Sequence, residues 1–511
     1  MRTQKGIAGV AIAALVVGLL LLGSTAPAFA QAAGAGTING TITDQQNAVV
    51  PEATITIHNV DTNVDRAFTS NGAGIYTVPF LQPGRYEVSV SKTGFAKLIR
   101  KDVTLTVGQT LTLDFQMPVQ STQESVTVTT ENPLVDTEKT DVSQLVSTAE
   151  VANLPIAGRN WERFALTAPG ANPDGGTGLV SYRGISALYN SSSVDGANNN
   201  QAFFSETKGR TVTGVPSVYS MDSIQEFAVT TSNYSAELGQ AAGGVINAVT
   251  KSGTNTVHGD LFYYLRYPTL NALDPIQKAA GIYTQPIHQQ QQFGGSVSGP
   301  IIKDKLFFFL TYDGSRKVNP IAYTSSSRFP LNCTSAFSAA QCAAANGYLT
   351  SILGAYPRFA NNDIAFGRLD YQLNPRNHIN SSLNIDDFKA PNSYTSSTTA
   401  TNSSLSQNGT NVLHERIFVA NWDSTISNTM INNFRFQWSR DLETTSANGA
   451  GPSVSITNVG GYGMPNALPR PAFPDEHRLQ FTDILSMTHG KHTFKAGFDV
   501  NAIHELLIRV F

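Results

Sequence analysis

Nine histidines are scattered through 511 residues, and none stands in a spacing that builds a reactive site. His-Glu-x-x-His would put two zinc ligands and a base on one helix face, and Gly-x-Ser-x-Gly would lift a serine onto a strained turn; neither occurs. His504 beside Glu505 is an isolated pair. His288, followed by Gln289 to Gln292, offers one imidazole among amides at a strand start and reads as polar loop rather than metal site. Asp195-Gly196 with Asn198 to Asn200 lacks the repeated acidic positions and closing Glu of a calcium loop, and reads as a polar turn. The expectation is a protein without catalytic residues, metal or cofactor.

The residues that do carry a message lie at the N-terminus. Arg2 and Lys5 precede an apolar run from Ile7 to Leu22, and Ala28-Phe29-Ala30 supplies the small-x-small pattern read by signal peptidase. Residues 1–30 are therefore expected to be a signal peptide cut between Ala30 and Gln31; the alternative is an uncleaved anchor, for which the run is slightly short. No later apolar stretch has spanning length, so any membrane insertion must use strands. Export also sets the fate of the two cysteines: in an oxidising compartment Cys333 and Cys342, nine positions apart in one polar loop, favour a local disulfide over a metal site.

Composition points to strands. The chain is 41% hydrophobic and only 14% charged, with a net charge of −3 and 42 glycines. This excludes a disordered chain and gives no general attraction to nucleic acid, while the abundance of turn formers and β-branched residues predicts a mainly β protein.

From 36 to 118 the segments TINGTIT, ATITIHN, DRAFTS, IYTVPF, RYEVSVSK and TLTLDFQM alternate apolar and polar residues. Turn chemistry separates them, at Asn71-Gly72 and at Pro83-Gly84. About seven short strands in some 80 residues suit a small β-sandwich. Gly40, Val50-Pro51-Glu52-Ala53, Asn71 to Tyr76, Leu81 to Tyr86 and Gly94-Phe95 resemble the carboxypeptidase-regulatory-like domain, which implies a transthyretin-like sandwich without catalytic residues of its own.

Residues 119–132 read as a linker holding one extended heptapeptide, Glu124-Ser125-Val126-Thr127-Val128-Thr129-Thr130. By composition it is one more strand or a linker, although an extended segment of this kind can physically add as a strand to a partner, main-chain hydrogen bonds supplying affinity and alternate side chains selectivity. From 133 to 255 follows a compact α/β segment marked by Leu154 to Asn160, Tyr182-Arg183-Gly184-Ile185, Val194-Asp195-Gly196, Ser223 to Phe227, Asn233 to Gly239 and Gly243 to Gly253. In their order, behind the sandwich, these landmarks resemble the plug of Oar-like TonB-dependent receptors. The resemblance implies that 124–130 is the TonB box, paired as an added strand with TonB and so with its inner-membrane energising complex. Arg159, Arg183 and Glu226 are expected in charge pairs within the plug or against the barrel wall.

Beyond His258 the period is that of membrane hairpins. Leu261, Tyr263, Leu265 and Tyr267 fall on one face, as do Leu306, Phe308, Leu310 and Tyr312, and later Phe418 and Trp422 with Phe434 and Trp438. Runs of about ten residues with one apolar face and aromatic ends suit a lipid-facing wall, and in lipid such strands need a closed sheet. Short turns near 301–305, 374–377, 425–429 and 489–491 alternate with long polar connections at 268–288, 314–362, 388–411 and 442–476. That asymmetry predicts an outer-membrane barrel with short periplasmic turns and long external loops. The Ser/Thr/Asn-rich stretch from Ser393 to Asn411 reads as a solvated loop.

Residues 256–511 supply about nine strands, an odd number, whereas single-chain bacterial barrels have even counts and the family that the chain resembles has twenty-two. Glu505 and Arg509 share the face of Phe511, so the wall pattern fails at the end, and the chain is expected to be a truncated receptor. The resemblance implies an outer-membrane location, sandwich and plug on the periplasmic side, the outer-membrane assembly machinery and lipids as partners, and uptake of an unnamed external ligand. Two alternatives stay open: a structural, adhesive or export-related surface protein, and a carbohydrate-uptake receptor working with a surface lipoprotein.

Overall fold

The computed structural model describes residues 34–119, 125–128 and 141–508, apart from 155, 175–178, 204–206, 209–216, 271, 273–274, 276–278, 280–288, 324–329, 334–336, 394–399, 402, 458 and 466–467. The signal segment, with Ala30 and Gln31, lies outside the described residues.

The alternating segments near the N-terminus form β1 (Gly36–Asp44), β2 (Thr54–Asn59), β3 (Val64–Thr69), β4 (Ile75–Leu81), β5 (Gly84–Ser91), β6 (Lys97–Leu105), β7 (Thr110–Thr112), β8 (Phe115–Met117) and β9 (Ser125–Val128). Two sheets result: β4-β1-β7, with β8 also on β1, and β3-β2-β5-β6-β9. Because every second side chain of a strand points to one face, Ile38, Ile42, Ile55, Ile57, Val78, Val88 and Val90 converge in one fully buried core. Tyr76 reaches across it and donates its hydroxyl to the Leu113 carbonyl at 2.7 Å.

The central segment holds β10 (Val142–Val146), α1 (Thr148–Asn153), β11 (Ala171–Asp174), β12 (Leu179–Tyr182), β13 (Ser191–Val194), β14 (Ala197–Asn198), β15 (Ile224–Ser232) and β16 (Val245–Thr250). Its main sheet runs β10-β15-β16-β13-β14. Ser147 and Glu150 form a reciprocal capping box that starts α1. Trp161 is fully buried, its ring edge-on to Phe227 at 5.1 Å.

The remaining elements are β17 (His258–Arg266), β18 (Gln289–Ile302), β19 (Leu306–Tyr323), α2 (Ala339–Ile352), β20 (Tyr356–Asn374), β21 (Asn377–Ala390), β22 (Ala400–Thr401), β23 (Gly409–Ser427), β24 (Met430–Ala447), β25 (Val454–Ile456), β26 (Gly460–Tyr462), β27 (Ala472–His489) and β28 (His492–Ile508). Nine of them make one antiparallel wall in the order β17-β18-β19-β20-β21-β23-β24-β27-β28, and β22 pairs aside with β19. Leu261, Tyr263, Leu310, Tyr312, Trp422, Trp438, Phe494 and Phe498 are exposed on its outer face. Phe307, Phe309, Thr311 and Asp313, the intervening residues of β19, are buried on the inner face. There Phe309, Phe366, Ile417 and Val419 pack with Trp161 and Phe227 in one cluster, so the central segment fills the concave side of the wall as a plug.

Two expectations are corrected. Except for β17, the wall strands are 14 to 19 residues long, not about ten. Ladder pairing continues past the apolar band, because hydrogen bonds between strands do not require a lipid-facing side chain; β19 accordingly runs on to Tyr323 rather than ending before Gly314. The Ser/Thr/Asn-rich stretch is not simply solvated either. Asn408 and Asn411 are fully buried, Asn408 donating to the Tyr356 hydroxyl at 3.0 Å and Asn411 to the Ser393 carbonyl at 3.2 Å. Gln289 to Gln292 open β18 as regular strand, while His288 lies outside the described residues.

Candidate functional site

The short turns of the wall are where the three parts of the chain meet. Asn255, at the end of the plug, donates to the Thr62 carbonyl at 2.7 Å and to Asp304 at 2.7 Å, and Asn63 donates to the same Asp304 at 2.9 Å. The next turns follow suit: Asn428 donates to Thr69 at 2.8 Å, and Asn71 to the Gly490 carbonyl at 2.7 Å. Ile431 and Ile484 from the wall join the sandwich core. The sandwich thus sits across the short-turn end of the wall. A cavity of about 520 Å³ remains at this junction, lined among others by Arg66, Lys251, His258, Asp260, Asp370 and His378. Among the described residues, no group of three or more His, Cys, Asp and Glu is arranged to hold a metal ion.

The sandwich also grips the plug. Glu226 of β15 is buried and accepts the Val107 backbone N–H at 2.5 Å. Burial pushes its carboxyl up to about 7, against the opposing pull of that hydrogen bond. The sequence places Glu226 in a charge pair; it bonds instead to a backbone amide of the sandwich.

The candidate box continues the sandwich. Ser125–Val128 is β9, and it adds in parallel to β6 with Lys97 opposite Ser125, Leu98 opposite Val126, Ile99 opposite Thr127 and Arg100 opposite Val128. Glu124, Thr129 and Thr130 lie outside the described residues. The edge of β6 is thus covered by a segment of the same chain, which satisfies backbone groups that an open edge would present to other strands.

Between plug and wall, several charges meet an opposite partner. Arg159 bonds Asp222 of the plug at 2.7 Å, lies 3.6 Å from Asp313 of β19, and stacks its guanidinium 4.0 Å from the Phe262 ring centre. Arg368 of β20 holds Asp370 at 2.7 Å and reaches Asp195 of the plug at 3.4 Å. Lys208 is fully buried between Glu415 at 3.4 Å and Glu476 at 3.3 Å. Burial works against its ammonium, but Glu415, Glu476 and Asp441 outweigh that and hold it above its ordinary value. Lys495 of β28 meets Glu237 at 3.2 Å.

The residues singled out in the sequence fall into place unevenly. Arg159 bridges plug and wall, whereas Arg183 donates to the Gly243 carbonyl at 3.3 Å and stays within the plug. Asp195 accepts from the Thr250 backbone at 2.9 Å and its hydroxyl at 2.7 Å, so its oxygens are already engaged. Gly196 has φ 74°, and a Cβ there would run into the Arg435 guanidinium, which explains the Asp-Gly pair better than a calcium loop does. Cys333 and Cys342 are joined, with Cα atoms 5.9 Å apart. Lys208, Arg368, Glu415 and Glu476 were not anticipated; Arg368, Glu415 and Glu476 leave a trace in the sequence as charges on the inward positions of wall strands, and Lys208 leaves none.

The chain is similar to several known proteins. Over 303 residues the chain is 30% identical to the TonB-dependent transporter Oar of Myxococcus xanthus, which covers 57% of this chain and 27% of the relative. The chain therefore spans about a quarter of the length of that curated relative. Among solved structures it is similar to the ferric enterobactin receptor of Pseudomonas aeruginosa in complex with enterobactin, at 14% identity and a TM-score of 0.49, covering 73% of this chain and 50% of that one. It is also similar to the outer membrane transporter YddB from Escherichia coli, at 12% identity and a TM-score of 0.49, covering 71% and 48%. Residues 37–118 match the carboxypeptidase regulatory-like domain. Residues 249–364 and 327–508, together just over half of the 511, match the outer membrane beta barrel domain, and the chain belongs to that family.

Proposed function

We propose that this chain is part of a TonB-dependent outer-membrane receptor that binds an external ligand and is energised by TonB through residues 124–130. The observation that carries the reading is the placement of β9: an extended strand tied to β6 of a sandwich that is itself bonded to the plug at Glu226 and to the short turns of the wall. A pull on that strand has a bonded route to the plug. A wide barrel must be plugged to avoid leaking, so opening requires work on the plug, and strand pairing is well suited to transmit it. In this arrangement the short turns, sandwich and plug entrance face the periplasm, the exposed apolar face meets outer-membrane lipid, and the long connections face the medium. Wall strands of this kind reach the membrane through the outer-membrane assembly machinery.

The test is capture of the periplasmic domain of TonB by the full-length receptor with and without Glu124 to Thr130. Loss of capture supports the assignment; unchanged capture removes the box from this segment. A second reading, as a surface or export-related protein, is favoured by the folded platform on the long-loop side, where Leu349 of α2 and Leu353 just after it pack on Val459. That reading expects the deletion to leave the phenotype unaltered.

A further inference from the structure

We infer that the long-loop side of the plug carries a binding site for a multivalent anion, built from Arg163, Arg266, Lys317 and Arg358. The register places them together. Arg266 of β17 lies opposite Gln290 of β18, and Gln290 opposite Lys317 of β19. Arg358 of β20 lies opposite Asn319, one step along the same inward-facing row as Ala360, the partner of Lys317. Parity fixes the direction: Lys317 shares its face with Phe307, Phe309 and Asp313, which meet the plug, and Arg358 shares its face with Asn362, Ile364 and Phe366. Arg163 rises from the plug, in the turn Trp161–Thr167. The charges that act on the Lys317 ammonium are those of Arg266, Arg358 and Arg163, with no carboxylate among them.

One layer deeper the balance is different. There Arg159 is answered by Asp222 and Asp313, and Gln292 closes over Asp313 at 3.4 Å. Among the described residues, Arg163, Arg266 and Lys317 form no ion pair, although the chain as a whole is slightly acidic. Solvated cations scattered on a surface need no explanation, but these occupy neighbouring inward-facing positions within range of one another's charge, where like charges reinforce one another and concentrate anions. Arginine forks and an ammonium at this spacing suit carboxylate or phosphate groups, and more than one of them per ligand.

The inference rests on the receptor reading, in which this end faces the medium, so anion binding and TonB capture are scored separately and either can fail alone. Citrate and pyrophosphate, as a carboxylate and a phosphate probe, are titrated calorimetrically into the full-length receptor in detergent at low and at high salt. At least one is expected to bind, more weakly as salt rises. Arg266→Gln, at an exposed position that does not endanger folding, is expected to weaken binding by about tenfold, and Arg266→Gln with Lys317→Gln to weaken it further. An unchanged midpoint of thermal unfolding in detergent shows that these variants are folded. Binding of neither probe, or binding that both variants leave unchanged, overturns the site.

Discussion

The Glu226 carboxylate of the plug accepts the Val107 amide of the sandwich at 2.5 Å, out of water and, among the described residues, with no ion pair. Burial raises the carboxyl to about 7 from an ordinary 4.5. A raised acid favours the state that buries it most when it is protonated, so its contribution is complete below about 4.5 and is lost as pH climbs through about 7. Seating of the sandwich on the plug should therefore weaken across that window by on the order of 3 kcal/mol. Limited proteolysis of the sandwich junction at stepped pH measures this. Glu226→Gln should flatten the profile; a profile equally steep in the variant assigns the effect to another group.

Val126 stands in a strand held by backbone bonds to β6. Proline at 126 removes a donor and disfavours the ladder. Val126→Pro is expected to speed protease cleavage between 119 and 141 and to abolish TonB capture, while a receptor that keeps both properties would show that strand pairing at this position serves neither partner.

Arg159 joins two carboxylates and an aromatic ring that come from plug and wall. Arg159→Ala leaves Asp222 and Asp313 facing each other without their cation, at a cost of roughly 3 kcal/mol. Arg159→Lys restores the charge but neither the fork nor the stack, so it should recover only part. The readout is the midpoint of thermal unfolding in detergent together with ion leakage in planar bilayers, and full recovery by lysine would reduce the role of Arg159 to charge alone.

The Cys333–Cys342 bond closes a short loop against α2. Constraint of a loop this short is worth about 2–3 kcal/mol to the local structure. Cys333→Ser with Cys342→Ser should raise hydrogen exchange in 331–353 and leave the wall strands unaffected; exchange spreading into β19 or β20 would mean that the loop supports the wall itself.

Much of the architecture was legible in particular residues. The alternation of Leu261, Tyr263 and Leu265, or of Phe434, Phe436 and Trp438, told inside from outside, because a strand has a period of two and lipid accepts only one kind of face. Turn residues at Asn374 to Asn377 and at Gly490 marked where strands reverse, and the observed turns fall there. Strand ends were not legible. Ser315 to Tyr323 has no lipid-like pattern, yet it pairs, since a ladder is held by backbone groups that every residue but proline supplies in full.

The sequence by itself determined the strand-rich class, the outward-facing side of the wall and the places where its strands reverse, because each is encoded within a few neighbouring residues. Only the tertiary structure decided which inward charges meet. Lys208 and Glu476 are 268 residues apart and bond in the lumen, Glu226 finds an amide 119 residues upstream, and Arg163, Arg266 and Lys317 are gathered without a counter-charge. Such meetings depend on the register of strands around the wall and on the seat of the plug within it, and no local pattern of side chains carries that information.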